Sequence, residues 1–227
     1  DSHIEVAHTL SRLSLLHTEM GELEKAGPVV DRAQAELERA TGTERYLVGA
    51  CLNNLALVHQ RLGNYDRAES LFGQALDVNT ESLSPHHPDV ARTLADTALL
   101  HYQMGDRIAA LESTLRAEET GREHLRLTVS TLPERQALGY ALVRATGLDL
   151  APTIAEETDV EVPDAERRAW DAIIRSRALI LDEMGARHRT VESAPEIAPL
   201  VDALVSARQR LANLAVRGPG DEPEGHY

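Results

Sequence analysis

The stretch Leu52-Asn53-Asn54-Leu55-Ala56-Leu57-Val58, followed by Gly63-Asn64-Tyr65, Ala68-Glu69 and Ala75-Leu76, decides the fold because it recurs. Gly63 stands 42 residues after Gly21 and 42 before Gly105. The same step joins Val6, Val48 and Val90; Leu10, Leu52 and Leu94; and His17, His59 and His101. It joins Ala26, Ala68 and Ala110, and Ala33, Ala75 and Ala117, while Met20, Leu62 and Met104 keep an apolar residue in step. Self-similarity at a fixed period of this size marks a stack of supersecondary units.

Each recurring residue has a physical task. Leu10, Leu13 and Leu16 fall at helical spacing and predict an inward stripe on the first helix of a hairpin; Leu52, Leu55 and Val58 do so in the second unit. The glycine follows where the chain reverses, since glycine takes the left-handed backbone without steric cost. The recurring alanines let the second helix close on the first, where a larger side chain would hold the axes apart. The reading is an all-α chain of stacked helical hairpins.

These residues are those of the tetratricopeptide repeat, and residues 3–120 resemble its long kinesin-light-chain variety. The resemblance is carried by the second-unit stretch above and, in the third unit, by Thr93-Leu94, Gly105-Asp106, Ala110 and Ala117. Ser84-Pro85-His86-His87-Pro88-Asp89-Val90-Ala91 is similar to the link between such repeats, and His3-Ile4-Glu5-Val6-Ala7 is a remnant of it two periods earlier. The chain departs from the pattern where His17, His59 and His101 replace a tyrosine, and where Thr97 and Arg107 replace a leucine and a tyrosine. Looser packing of the third repeat is the expectation. The resemblance implies a right-handed superhelical array of three hairpins over residues 1–120, followed by additional helices.

After Ala117 the period is lost. Thr131-Leu132-Pro133-Glu134 reads as a capping box opening a helix that runs to about Ala145. Residues 149–163 read as a loop. Asp164 is placed to cap a helix with Trp170, Ile173, Ile174, Leu181 and Met184 on one face. A last helix is expected from Glu196, and residues 217–227, rich in glycine, proline and acids, read as a flexible tail. Arg122-Glu123-His124-Leu125, Thr131 to Leu138, and Ala169-Trp170-Asp171-Ala172-Ile173-Ile174-Arg175-Ser176-Arg177 with Leu179-Ile180-Leu181-Asp182 are similar to a helical region of bacterial CHAT proteins, caspase-like peptidases associated with tetratricopeptide repeats. That resemblance covers residues 122–215 and implies that residues 121–216 are a neck before a histidine–cysteine peptidase domain.

Composition narrows the function classes. The net charge of −14 repels phosphate backbones, and aromatics make up 3% of the chain, which argues against direct nucleic-acid binding. That charge suits either a basic partner or simple solubility. There is no run of about 18 apolar residues to span a membrane. No signal peptide opens the chain, so cytoplasm is the expectation, and the start within a repeat reads as a piece of something longer.

Cys51, the only cysteine, sits one period from Thr9 and Thr93 and reads as a small packing residue rather than a nucleophile. His17, His59 and His101 evoke zinc, but stacked repeats hold equivalent residues roughly 10 Å apart, beyond the reach of one ion. Glu5-Val6-Ala7-His8 has the spacing of a di-iron ligand pair, yet a second copy is lacking. Phosphate loops, dinucleotide fingerprints and hydrolase elbows are absent from the sequence. No cofactor and no metal are expected, and the fragment reads as non-catalytic.

The surface left to carry function is the side of each first helix that lines the concave face in arrays of this resemblance. Its expected residues are Ser11, Arg12, Leu15 and Thr18; Asn53, Asn54, Leu57 and Gln60; and Arg92, Ala95, Asp96, Leu99 and Tyr102. The resemblance implies that the asparagine pair hydrogen-bonds a peptide backbone, for which an amide both donates and accepts. The leading expectation is a scaffold that holds a peptide or partner protein and regulates a peptidase in a larger chain. The alternatives are a regulatory arm of a transcription factor or nucleic-acid-guided complex, and a contribution to a hydrolase site. Exposed ends of such an array also invite self-association.

Overall fold

A computed structural model describes residues 2–40, 44–129, 136, 148, 150–156, 164–192, 199–200, 203 and 206–207. Among the described residues the regular structure is all helix: α1 (Ser2–Glu19), α2 (Leu23–Arg39), α3 (Arg45–Arg61), α4 (Tyr65–Ser82), α5 (Pro88–Met104), α6 (Arg107–Val129), α7 (Leu150–Glu156) and α8 (Ala165–Glu192). Consecutive helices pair as three hairpins, α1 with α2, α3 with α4, and α5 with α6. The first two hairpins stack mainly through their first helices, α3 packing on α1, whereas the third meets the second chiefly through α5 against α4, with a smaller contact between α3 and α5.

Gly21, Gly63 and Gly105 occupy three matching bends. Their φ angles are 76°, 78° and 86°, in the left-handed region that a side chain disfavours. At each bend two backbone bonds close the first helix in the same way. The glycine N–H donates to Thr18, Gln60 or Tyr102 at 3.0–3.1 Å, and the next residue's N–H reaches back to His17, His59 or His101 at 2.8–2.9 Å. This is the six-to-one and five-to-two pattern that satisfies the last carbonyls of a helix. The second helix then starts at once, with Ala26, Ala68 and Ala110 each donating to the residue after the glycine. All three of these alanines are fully buried, and so are Ala33, Ala75 and Ala117. The link into the third hairpin is closed differently: Pro88 opens α5, and the His87 ring caps it by accepting the Asp89 N–H through Nδ1 at 3.2 Å.

The main core joins the first two hairpins and reaches into the third, gathering Val30, Ala33, Leu52, Leu55, Val58, Leu71, Phe72, Ala75 and Leu100. The expected stripe on α1 is corrected. Leu13 and Leu16 are exposed, and the buried face of α1 is Ile4, Ala7, Ser11, Ser14 and Thr18. Small side chains let α3 approach, and their hydroxyls need no external partner. Ser11, Ser14 and Thr18 each donate to their own helix's backbone, at 2.8 Å. Ser14, Ala56 and Ala98 are one position in three units, and each is buried.

Two further differences follow α5. The third hairpin is longer than the period requires, α6 continuing to Val129. The segment expected as a loop, 149–163, contains α7, whose Ala151 and Ile154 are buried one turn apart. Ile154 joins Ala110, Leu111 and Ala165 in a second core cluster, so apolar burial organises this stretch despite its proline. Pro152 lies in the first turn of α7, where a missing N–H leaves no bond unmade. By compactness the chain divides into Asp1–Ile180 and Leu181–Tyr227. On α8, Trp170 and Ile174 of the expected apolar face are exposed. The helix expected from Thr131 to Ala145 and the tail 217–227 lie outside the described residues, apart from Gln136. Of the helix expected from Glu196, residues 199–200, 203 and 206–207 are described and helical.

Candidate functional site

A cleft of about 540 Å³ runs along α1 and across α3 to α5. The period sets its geometry. His8, Ala50 and Arg92 are one position in three successive units, and Arg12 and Asn54 are another. All five line the cleft, together with Leu15 and Glu19 of α1. In-register residues on neighbouring first helices point the same way, so any side chain of this row adds to one continuous surface. Thr9, Leu13 and Leu16 complete the wall on the outer side of α1.

The electrostatics of the cleft differ from those of the chain. Against an overall charge of −14, two guanidiniums, Arg12 and Arg92, face it beside one carboxylate, Glu19. Arg92 is held by Asp89 at 2.8 Å, and Arg12 is exposed. Burial, and then the neighbouring Arg12, hold the His8 imidazole below its ordinary pKa, which disfavours a positive charge there. Asn54 donates one N–H to Ser11 Oγ at 3.2 Å, which fixes its amide against α1. The cleft therefore offers charged and neutral hydrogen-bonding groups beside exposed leucine surface.

Of the residues expected on this surface, the structure brings Arg12, Leu15, Asn54 and Arg92 to the cleft. Asn53 and Gln60 are buried instead. Asn53 Nδ2 donates to Asp96 Oδ2 at 3.0 Å, and Gln60 Nε2 donates to Gln103 Oε1 at 2.9 Å, both across the boundary between hairpins. Ser11 and Thr18 are buried in the α1 seam. Leu57 packs against the main core, Tyr102 against the second cluster, and Ala95 against a third formed by Val90, Leu94 and Ala117. The Arg107 guanidinium lies 4.0 Å from the centre of the Tyr102 ring. Leu99 is half-buried. Burial raises the Asp96 pKa, opposed by the Asn53 hydrogen bond and by Arg92 and Arg61. His8, Thr9, Leu13, Leu16, Glu19 and Ala50 line the cleft outside that expected set. His8 and Ala50 are in register with Arg92, so carrying one row through all three units would have found them.

Among the described residues, Cys51 and the three periodic histidines make local contacts. Cys51 is fully buried, and burial pushes its thiol up to about 11, far from a nucleophile's range. Each periodic histidine has its own local partner: His17 meets Glu22 at 2.7 Å, His59 meets Gln34 at 3.2 Å, and His101 meets Glu69 at 3.4 Å. His59 and His101 thereby reach back to the second helix of the preceding hairpin. Among the described residues, no helix is long and apolar enough to cross a membrane.

A family model described as Tetratricopeptide repeat matches residues 5–81 and 50–123. No curated protein matches the chain.

Proposed function

Since the chain belongs to the tetratricopeptide repeat family, we propose that it is a protein-interaction scaffold that holds a peptide or partner protein in the cleft along α1, α3 and α5. The observation that carries this reading is the convergence of Arg12, Leu15, Asn54 and Arg92, from three successive hairpins, on one cleft of about 540 Å³. Repeats of this family are in general protein-interaction modules, and a shared row of polar and apolar side chains is what an elongated ligand needs. Leu99, half-buried, is the further candidate on this face, whereas Leu57 and Tyr102 pack against core clusters, Asp96 is tied to Asn53, and Gln60 bridges α3 to α5. The kinesin-light-chain character of the repeats and the likeness of residues 122–215 to CHAT proteins suggest a finer role: the sensor of a larger bacterial, cytoplasmic protein whose peptidase domain responds to the bound partner. Such coupling requires that the partner favour one of two arrangements of the array.

A display selection of peptides against the chain, followed by fluorescence-polarisation titration of the enriched sequences, tests the scaffold reading. Arg12→Ala with Arg92→Ala is expected to weaken binding at least about tenfold, ~1.4 kcal/mol, with the helical circular dichroism unchanged. Undiminished affinity in that variant removes the cleft as the binding site.

A further inference from the structure

Arg92 reaches the cleft from the N-terminal end of α5, and Asp89 governs its charge there. Asp89 is shared between two neighbours. Its Oδ1 takes the Arg92 guanidinium at 2.8 Å, and its Oδ2 stands 3.6 Å from His87 Nδ1. Its backbone N–H donates to that same Nδ1 at 3.2 Å. A ring nitrogen accepts a hydrogen bond only while it carries no proton, so the cap that opens α5 exists with His87 Nδ1 bare. A proton there turns the acceptor into a donor. The Asp89 N–H then loses its partner, and the new N–H faces the carboxylate oxygen 3.6 Å away. With the ring neutral, Asp89 and Arg92 cancel; with the ring charged, two cations share one anion.

We propose that His87 is a proton-operated switch for the α5 arm of the cleft: on gaining a proton it gives up the helix cap, draws the Asp89 carboxylate toward itself and releases the Arg92 guanidinium to a ligand. The consequence for binding rests on the reading of the cleft as the binding surface; the switch itself does not. The groups around His87 suit this role. Asp89 and Arg92 face it from α5. From α6, His124 meets it edge-on with the ring centres 6.4 Å apart. Burial, and then the charge of His87, hold the His124 imidazole below its ordinary pKa, so α6 does not bring a competing cation. The Glu123 carboxylate of α6 is engaged by Arg126 at 2.9 Å and Arg122 at 3.2 Å, which leaves Asp89 as the anion beside His87. His86 turns to a separate cavity of about 220 Å³ with Arg116 and Glu119, where Leu76 and Thr80 of α4 add no charge.

Nitrogen-15 NMR of the full chain, titrated from about pH 8 to about pH 5, where histidine side chains change charge, tests the switch without a ligand. At the upper end His87 is expected as the Nε2–H tautomer. As its ring gains a proton, the Arg92 Nε–H and Asp89 amide signals are expected to move with the same midpoint. His87→Asn keeps a capping acceptor that does not titrate, and in that variant both signals are expected to stay still. An Nδ1–H tautomer at the upper end, or an Arg92 signal that ignores the His87 titration, overturns the switch. Display-selected peptides whose affinity falls on Arg92→Ala read its consequence, in a His8→Gln background because His8 also lines the cleft. They are expected to bind about two- to fivefold tighter at the lower pH, the scale of one exposed ion pair, and His87→Asn is expected to abolish the difference. Equal affinity at both ends, or a difference that survives His87→Asn, overturns the coupling to the cleft. If selection enriches no peptide, the cleft reading fails while the titration still decides the switch.

Discussion

The side-chain amide of Asn53 donates to the carboxylate of Asp96 at 3.0 Å, tying α3 to α5 across the boundary between the second and third hairpins. The two residues are 43 apart in sequence, as are Ser11 and Asn54, and Gln60 and Gln103, two further pairs that bridge first helices. One residue more than the period is what parallel neighbours require. Residues in register point the same way, and a further step turns the side chain by about 100° to face back.

Asp96 makes this bond at a cost. Burial raises its pKa, so the folded state prefers the protonated acid; the associated stability is fully present below the unfolded value of about 3.9 and is lost as pH rises through the folded value. Asp96→Asn is expected to raise Tm at pH 7, with the gain fading as pH falls toward 4. The new amide also offers a donor to Asn53 Oδ1, which is buried without a partner among the described residues. Asn53→Ala moves the other way, losing about 1–3 kcal/mol because a buried acceptor is left unpaired. Thermal melts across that pH range decide both; an Asp96→Asn gain that grows on acidification contradicts the assignment.

Gly49 is a packing residue. A Cβ there comes 1.9 Å from Asn79 Oδ1, and Asn79 is itself buried with its amide toward Thr93 Oγ1 at 3.4 Å. Gly49→Ala is expected to destabilise by about 1–3 kcal/mol through overpacking, despite alanine's better helix propensity. Adding Asn79→Ala removes the clash, so a denaturant double-mutant cycle should show a positive coupling between the two changes. Additive losses would mean that the two side chains do not compete for one space.

Two other glycines should respond with opposite signs to the same substitution. Gly63 has φ 78° at a bend, whereas Gly73 lies within α4 with nothing near its missing Cβ. Gly63→Ala forces alanine into the left-handed region at about 1–2 kcal/mol. Gly73→Ala is expected to stabilise by roughly 0.4–1 kcal/mol through the unfolded chain. Urea midpoints that shift in the same direction for both would overturn the bend geometry.

The bends and the close-packed alanines were legible in the sequence because glycine and alanine have few interchangeable substitutes there, so the period exposes them. The orientation of α1 was not. Leucines occur on more than one side of that helix, and hydrophobic periodicity alone selected Leu13 and Leu16 for a core that Ser11, Ser14 and Thr18 fill instead. Those hydroxyls look polar in a sequence but are satisfied within their own helix. The cleft was half legible for a related reason. Asn53 and Asn54 are adjacent and alike, yet a turn of about 100° sends one into the seam with α5 and leaves the other lining the cleft. Residues 150–156 form a helix through contact with Ala110 and Leu111, neighbours that their local sequence does not mention.

The three bends that close α1, α3 and α5 share one hydrogen-bond pattern and one glycine conformation. A splice from any of them to the next thus recreates a joint the chain already possesses. Excision or duplication of one whole unit leaves every helix meeting a familiar partner, while a single-residue slip inside α3 rotates all of its contacts at once.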